Sequence, residues 1–153
     1  MTIEPGGERC LCGNRGCLET LASASWLVRR AKEQLRRGSP SRLDATRGAL
    51  DAETIYHAAM DGDRLAVELF AQVGKSLAIA IANVIHLLGI RGVVIGGGSA
   101  QAWEAFIGPL QEELTRRLTM APVAEVRIVR AELGDDAGCL GAVYLASDQF
   151  DLF

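Results

Sequence analysis

The stretch from Asp63 to Gly98 restricts the fold more than any other part of the chain. Ala66, Leu69, Phe70, Val73, Leu77, Ile81, Val84, Ile85 and Leu88 recur at helical spacing, which predicts one long helix from Arg64 to about Leu88. Asp63 stands where an N-cap belongs, and Gly89 stands where a left-handed C-terminal glycine belongs. Gly92-Val93-Val94-Ile95 then reads as a strand buried on both faces, because a continuous β-branched run leaves no polar side. Gly96-Gly97-Gly98-Ser99 follows without a spacer, and a further helix is predicted from about Trp103 to Leu118, with Ser99 as a candidate cap. Glu125 to Ala131 alternates, with Val126 and Ile128 on one side, and reads as a second strand. A last helix is predicted from about Asp136 to Ala146. Helices alternating with strands argue for an α/β domain with some parallel pairing, although the strands are few for a sheet.

The N-terminal third is built differently. Met1 to Pro5 reads as a short extended piece that stops at Gly6-Gly7, and a loop rich in cysteine and glycine runs on to Cys17. Leu18 to Arg37 has a helical stripe in Leu18, Leu21, Ala22, Leu27, Val28, Ala31 and Leu35, closed by Gly38-Ser39-Pro40. Arg29, Arg30, Lys32, Arg36 and Arg37 lie on that helix and read as a solvated face. Arg42 to Leu50 is polar and reads as a surface connection, and Asp51 caps a short helix through Met60. No internal repeat is visible.

Size and composition set outer limits. A chain of 153 residues, 49% of them hydrophobic, suits one domain with a core of its own. Aromatic residues are only 5%, so that core has to be aliphatic and alanine-rich. A net charge of -3 gives no electrostatic footprint for nucleic acid or for an anionic membrane. No apolar run reads as membrane-spanning and no signal peptide is evident, so a cytoplasmic protein is the expectation.

Of four cysteines, Cys10, Cys12 and Cys17 fall within eight residues, and Cys139 lies far away. A disulfide scaffold spreads its cysteines to staple distant segments, whereas a tight cluster points to metal. Structural zinc takes about four thiolate or imidazole ligands, and a glycine-containing loop lets three thiolates converge. Three reduced thiols in a surface loop remain the alternative. Cys139 reads as a small buried hydrophobe.

Cys10-Leu11-Cys12-Gly13-Asn14-Arg15-Gly16-Cys17-Leu18-Glu19 resembles the signature of the ROK family, named for repressors, open reading frames and kinases. Asn83, Leu87 and Leu88 followed by Gly92 to Gly98 look like that family's long helix and glycine-rich nucleotide turn. Gly134-Asp135-Asp136-Ala137-Gly138-Cys139-Leu140-Gly141-Ala142 looks like its C-terminal signature, so the resemblance covers essentially the whole chain.

The resemblance implies the C-terminal lobe, residues 1 to 153, of an actin-like ATPase fold of the ribonuclease H-like class, with a zinc-binding loop over residues 10 to 19. It implies structural zinc at Cys10, Cys12 and Cys17, and sugar hydroxyls hydrogen-bonded to Glu19, whose plain alternative is an acidic first-turn residue complementing a helix dipole. Gly96, Gly97 and Gly98 would contact the adenosine side of Mg·ATP, although taken alone three glycines after a strand are a weak signal. The family's catalytic aspartate and first phosphate loop belong to its N-terminal lobe, which the resemblance implies is absent here, and no Asp is promoted to that role. The family's Gly-His pair, whose histidine ligates zinc, would fall immediately before Met1. Neither His57 nor His86 reads as a substitute; water or a partner chain would complete the site.

Two functions follow as expectations. One is a kinase-type lobe that helps to phosphorylate a hexose or amino-sugar in a complete protein and is inactive alone, whether or not the chain itself is an enzyme. The other is a non-catalytic binding or assembly module that keeps the fold. A sheet truncated at its edge invites pairing, so a homo-oligomer or an N-terminal lobe partner is expected. The family's repressors carry a helix-turn-helix before the kinase-like region; none is seen here, so no DNA binding is expected.

Overall fold

The computed structural model describes residues 1–43, 50–119 and 122–150. Most of the Arg42 to Leu50 connection therefore lies outside the described residues. The helices are α1 (Glu19–Ala22), α2 (Ala24–Arg36), α3 (Ala52–Met60), α4 (Arg64–Leu88), α5 (Trp103–Arg117) and α6 (Ala137–Phe150). The strands are β1 (Gly92–Ile95) and β2 (Arg127–Arg130). They pair in parallel, Gly92 opposite Arg127 and Ile95 opposite Arg130, joined by a crossover through α5.

Helix α4 organises the core. Its buried face carries Leu65, Ala66, Leu69, Phe70, Val73, Ala78, Ile81 and Ile85. Against it pack Phe106, Leu110 and Leu114 of α5, Ile55 of α3, and Trp26, Leu27 and Ala31 of α2. Helix α5 crosses at Gly74, where a Cβ would stand 2.5 Å from the carbonyl oxygen of Phe106 and 2.9 Å from the amide of Leu110. Both ends of α4 form as the sequence predicts. Asp63 is a buried cap that accepts from the Ala66 amide at 3.0 Å, the Arg42 amide at 2.6 Å and the Ser41 hydroxyl at 3.0 Å. Burial alone would push its carboxyl up, but the donors of Arg42, Ala66 and Ser41 outweigh that and hold it below its ordinary value. Gly89 closes the helix at φ 65°.

The same helix corrects one expectation. By length and composition α4, with 25 residues, does reach membrane-spanning character, but 61% of its most apolar window is buried inside the protein. Packing in the core already accounts for its apolarity.

Four further expectations are corrected. The helix predicted from Leu18 to Arg37 breaks at Ser23, which is extended at ψ 158°; its hydroxyl accepts from the Trp26 amide at 3.2 Å and restarts the chain as α2. Strand β1 is not covered on both faces: Val93 and Ile95 pack against the core, whereas Val94 is 67% exposed. Ser99 does not cap α5, because Gly98 to Ala102 form a 3-10 turn first and Ala102 holds the cap position. Cys139 is exposed, as are Leu140, Val143, Tyr144 and Leu145 around it on α6.

Candidate functional site

The cysteine loop is a compact hairpin held by its own backbone. The Cys10 amide donates to the Asn14 carbonyl at 2.8 Å, Gly13 to Cys10 at 2.9 Å and Gly16 to Glu8 at 2.8 Å. Arg9 and Arg15 face each other in an antiparallel bridge, as do Thr2 and Cys17. The segment before the loop is stitched to its end: Ile3 donates to Gly16 at 2.8 Å, and Leu18 donates to Met1 at 3.0 Å. Gly16 has no substitute here, since it sits at φ 61° and a Cβ would collide with the Glu4 carbonyl oxygen.

This scaffold brings the thiols of Cys10, Cys12 and Cys17 within 4.8 Å of one another. Cys10 and Cys17 are buried and Cys12 is exposed, with its sulfur 3.6 Å from that of Cys17. The Asn14 amide, and then the neighbouring thiols, hold the Cys12 thiol below its ordinary pKa. Burial, and then sharing with Cys12 and Cys10, push the Cys17 thiol up. Three convergent sulfurs, one of them open to solvent, are a donor set that fits zinc. Among the described residues the cluster has no fourth ligand, and His57 and His86 lie exposed on α3 and α4.

Glu19 follows the loop as the first residue of α1, with an exposed carboxylate. It lines a cavity of about 420 Å³ together with Leu18, Ser25 and five residues that also line a larger neighbour: Ala22, Ser23, Ala24, Leu77 and Ser99. That neighbour, of about 570 Å³, reaches Gly96 and Gly98 of the glycine turn. Its wall is formed by Leu27, Phe70, Val73 and Phe106, with Glu53, Tyr56 and His57 of α3 as polar members. The fold thus sets Glu19 and the glycine turn along one cleft. Gly97 is at φ 84°, which favours glycine, and lines a separate cavity of about 390 Å³ with Arg130 and Glu132. Gly96 faces Ala131, whose Cβ would lie 3.2 Å from an added one. A Cβ on Gly98 would meet open space.

Sequence reasoning missed the α3 wall. Burial raises the phenol of Tyr56, and so does its 3.1 Å hydrogen bond to the Glu104 carboxylate. Its ring meets Phe70 edge-on with centroids 6.2 Å apart. The one available signal was a polar run, Glu53, Tyr56 and His57, on a short helix whose apolar residues are mostly alanine.

With this geometry in place, comparison with known proteins is informative. A model of the ROK family matches residues 1–149. A glucokinase of Thermotoga maritima is 35% identical over 152 residues, covering 97% of this chain and 48% of the relative. The N-acetylglucosamine repressor of Shigella flexneri is 34% identical over 143 residues, covering 94% of this chain and 34% of the repressor. Among solved structures, a ROK family glucokinase from Streptomyces griseus, in complex with glucose and AMPPNP, superposes with a TM-score of 0.79 at 27% identity, covering 95% of this chain and 49% of that one. The chain spans about half the length or less of the curated relatives it matches.

Proposed function

The chain belongs to the ROK family and has the α/β fold of its sugar kinases, and on that premise we propose that it is the sugar- and nucleotide-contacting C-terminal lobe of an ATP-dependent sugar kinase. The observation that supports this is the cleft running from Glu19 to the glycine turn. A carboxylate at one end suits a polyol, since it accepts charge-assisted hydrogen bonds from several hydroxyls. A glycine turn at the other end suits a nucleotide, because backbone without side chains can approach it closely. Glu19 would hold a hexose or amino-sugar, and Gly96, Gly97 and Gly98 would meet the adenosine side of Mg·ATP, with α3 closing the cavity. Cys10, Cys12 and Cys17 would hold a structural zinc, which would supply a cross-link within a loop that its own backbone bonds already order.

Phosphoryl transfer needs a base for the sugar hydroxyl and donors for the phosphates. No residue along this cleft is assigned to either task. The lobe is therefore proposed to bind without turning over, and to need an N-terminal lobe or a further copy of itself to act. The match to a repressor means that binding alone does not establish a kinase, so the test separates the two.

A coupled ADP-release assay with Mg·ATP and a panel of hexoses and N-acylated amino-sugars is expected to give no turnover with the isolated chain. Calorimetry is expected to give saturable binding of an ATP analogue, lost in Gly98→Val, since Gly98 lines the cleft and has open space for a side chain. Sugar-dependent turnover by the chain alone would overturn its inactivity. Failure of the folded chain to bind nucleotide would overturn the assignment of the glycine turn.

A further inference from the structure

We propose that Cys12 and Cys17 form a thiol-oxidation site, in which a peroxide converts the pair to an intramolecular disulfide and so removes two of the three sulfurs gathered in the loop. The pairing rests on geometry alone; its effect on metal rests on the zinc reading above. Cys12 is the one exposed member of the cluster, so an oxidant in solution meets its sulfur first. A resolving group stands ready in the sulfur of Cys17, 3.6 Å away and in contact with it. Cys10 is buried and only one residue from Cys12, a spacing that closes a short, strained ring. Gly13 at φ 89° and Gly16 at φ 61° lie between Cys12 and Cys17. A Cβ on Gly13 would meet nothing within 4 Å, so the loop tip has room to close the remaining gap between the sulfurs.

The chemistry balances with hydrogen peroxide as the oxidant. The Cys12 thiolate attacks one peroxide oxygen, giving a sulfenic acid and releasing hydroxide. The Cys17 sulfur then attacks the sulfur of that sulfenic acid, and water leaves. Two thiols and one peroxide thus give one disulfide and two waters, each sulfur losing one electron and the peroxide gaining two.

The consequence reaches beyond the loop. Cys17 is bridged to Thr2, and its carbonyl accepts from the Thr20 amide at 2.9 Å and the Thr20 hydroxyl at 2.8 Å. Glu19 lies between Cys17 and Thr20, so a sulfur drawn toward Cys12 pulls on the first turn that presents the carboxylate. Oxidation therefore couples metal release to the sugar end of the cleft.

The test treats reduced, zinc-loaded chain carrying Cys139→Ser with hydrogen peroxide, alkylates the remaining thiols and maps peptides without reduction. Trypsin cuts after Arg15, so a Cys12–Cys17 bond joins two peptides that a Cys10–Cys12 bond leaves separate. Fragmentation between Leu11 and Cys12 tells Cys10 from Cys12 within the joined product. The expected result is a Cys12–Cys17 link in most of the oxidised chain, zinc appearing on a chromogenic chelator in step with it, and reversal by dithiothreitol. In Cys17→Ser, a sulfenic acid at Cys12 is expected to accumulate and to be trapped by dimedone. A dominant Cys10–Cys17 link, or Cys12 running on to sulfinic acid beside an alkylated Cys17, would overturn the proposal. A chain that holds no zinc before treatment would overturn the metal reading and leave the pairing to be decided by the peptide map.

Discussion

Helices α4 and α6 are both rich in apolar residues, and they end in opposite environments. Helix α4 is sheathed by α2, α3 and α5, and its stripe of Leu69, Phe70, Val73 and Ile81 is buried. Helix α6 presents Leu140, Val143, Leu145 and, at 75% exposure, Tyr144 to solvent. Apolarity therefore states a demand for burial and leaves open where the cover comes from. Exposed Val94 and Val129 repeat the lesson on the outer face of the sheet.

Truncation tests the contrast most severely. Phe106→Ala, at a site 2% exposed, is expected to lose about 3–5 kcal/mol in denaturant unfolding, the usual range for a buried aromatic. Tyr144→Ala on α6 is expected to stay within about 0.5 kcal/mol, as for an exposed side chain. A large loss at Tyr144 would break the comparison by showing that α6 docks in solution.

Glycines give the next effect. Gly74→Val forces α5 off α4 and is expected to cost about 1–3 kcal/mol, the scale of overpacking. Gly138→Ala lies within α6, where an added Cβ meets nothing within 4 Å, and is expected to stabilise by up to about 1 kcal/mol through helix propensity. Equal signs for the two substitutions would remove the distinction between a packed and an unpacked helix.

The α4 cap gives the smallest and most diagnostic effect. Asp63→Ala is expected to cost about 0.5–2 kcal/mol at neutral pH, measured by thermal melting. The folded-state pKa of Asp63 is held down, so its charge stabilises the fold above the unfolded value of about 3.9. That contribution is lost as pH falls through the folded value. The gap between wild type and variant should therefore narrow on acidification, and a gap independent of pH would sharpen the cap into pure packing.

What the sequence made legible was mostly local. Asp63 and Gly89 fix the ends of α4 through bonds within a turn, and Asp51 caps α3 in the same way, its carboxylate accepting from Thr54 at 2.8 Å. The three cysteines are close in sequence, so their convergence needed only a glycine hairpin. What stayed hidden depends on partners remote in sequence. Val94 read as buried because nothing in a β-branched run says how many faces are covered. Cys139 read as buried because a small apolar residue in a helix says nothing of what lies opposite. The α3 wall was hidden for the same reason: Tyr56 meets Glu104, 48 positions away, only after α3 and α5 have packed.

The stitching of Met1 to Glu4 onto Gly16, Cys17 and Leu18 has an entropic consequence. A flexible loop that gathers ligands from solution must lose conformational freedom when the ion arrives. Here the two bridges and the backbone bonds of the hairpin hold the ring closed by themselves, so under the proposed zinc reading the thiols would act as a preformed chelator. Metal arriving at such a ring orders little further chain, and metal leaving it unravels little. The contrast is with small zinc domains in which binding the ion and folding are a single event.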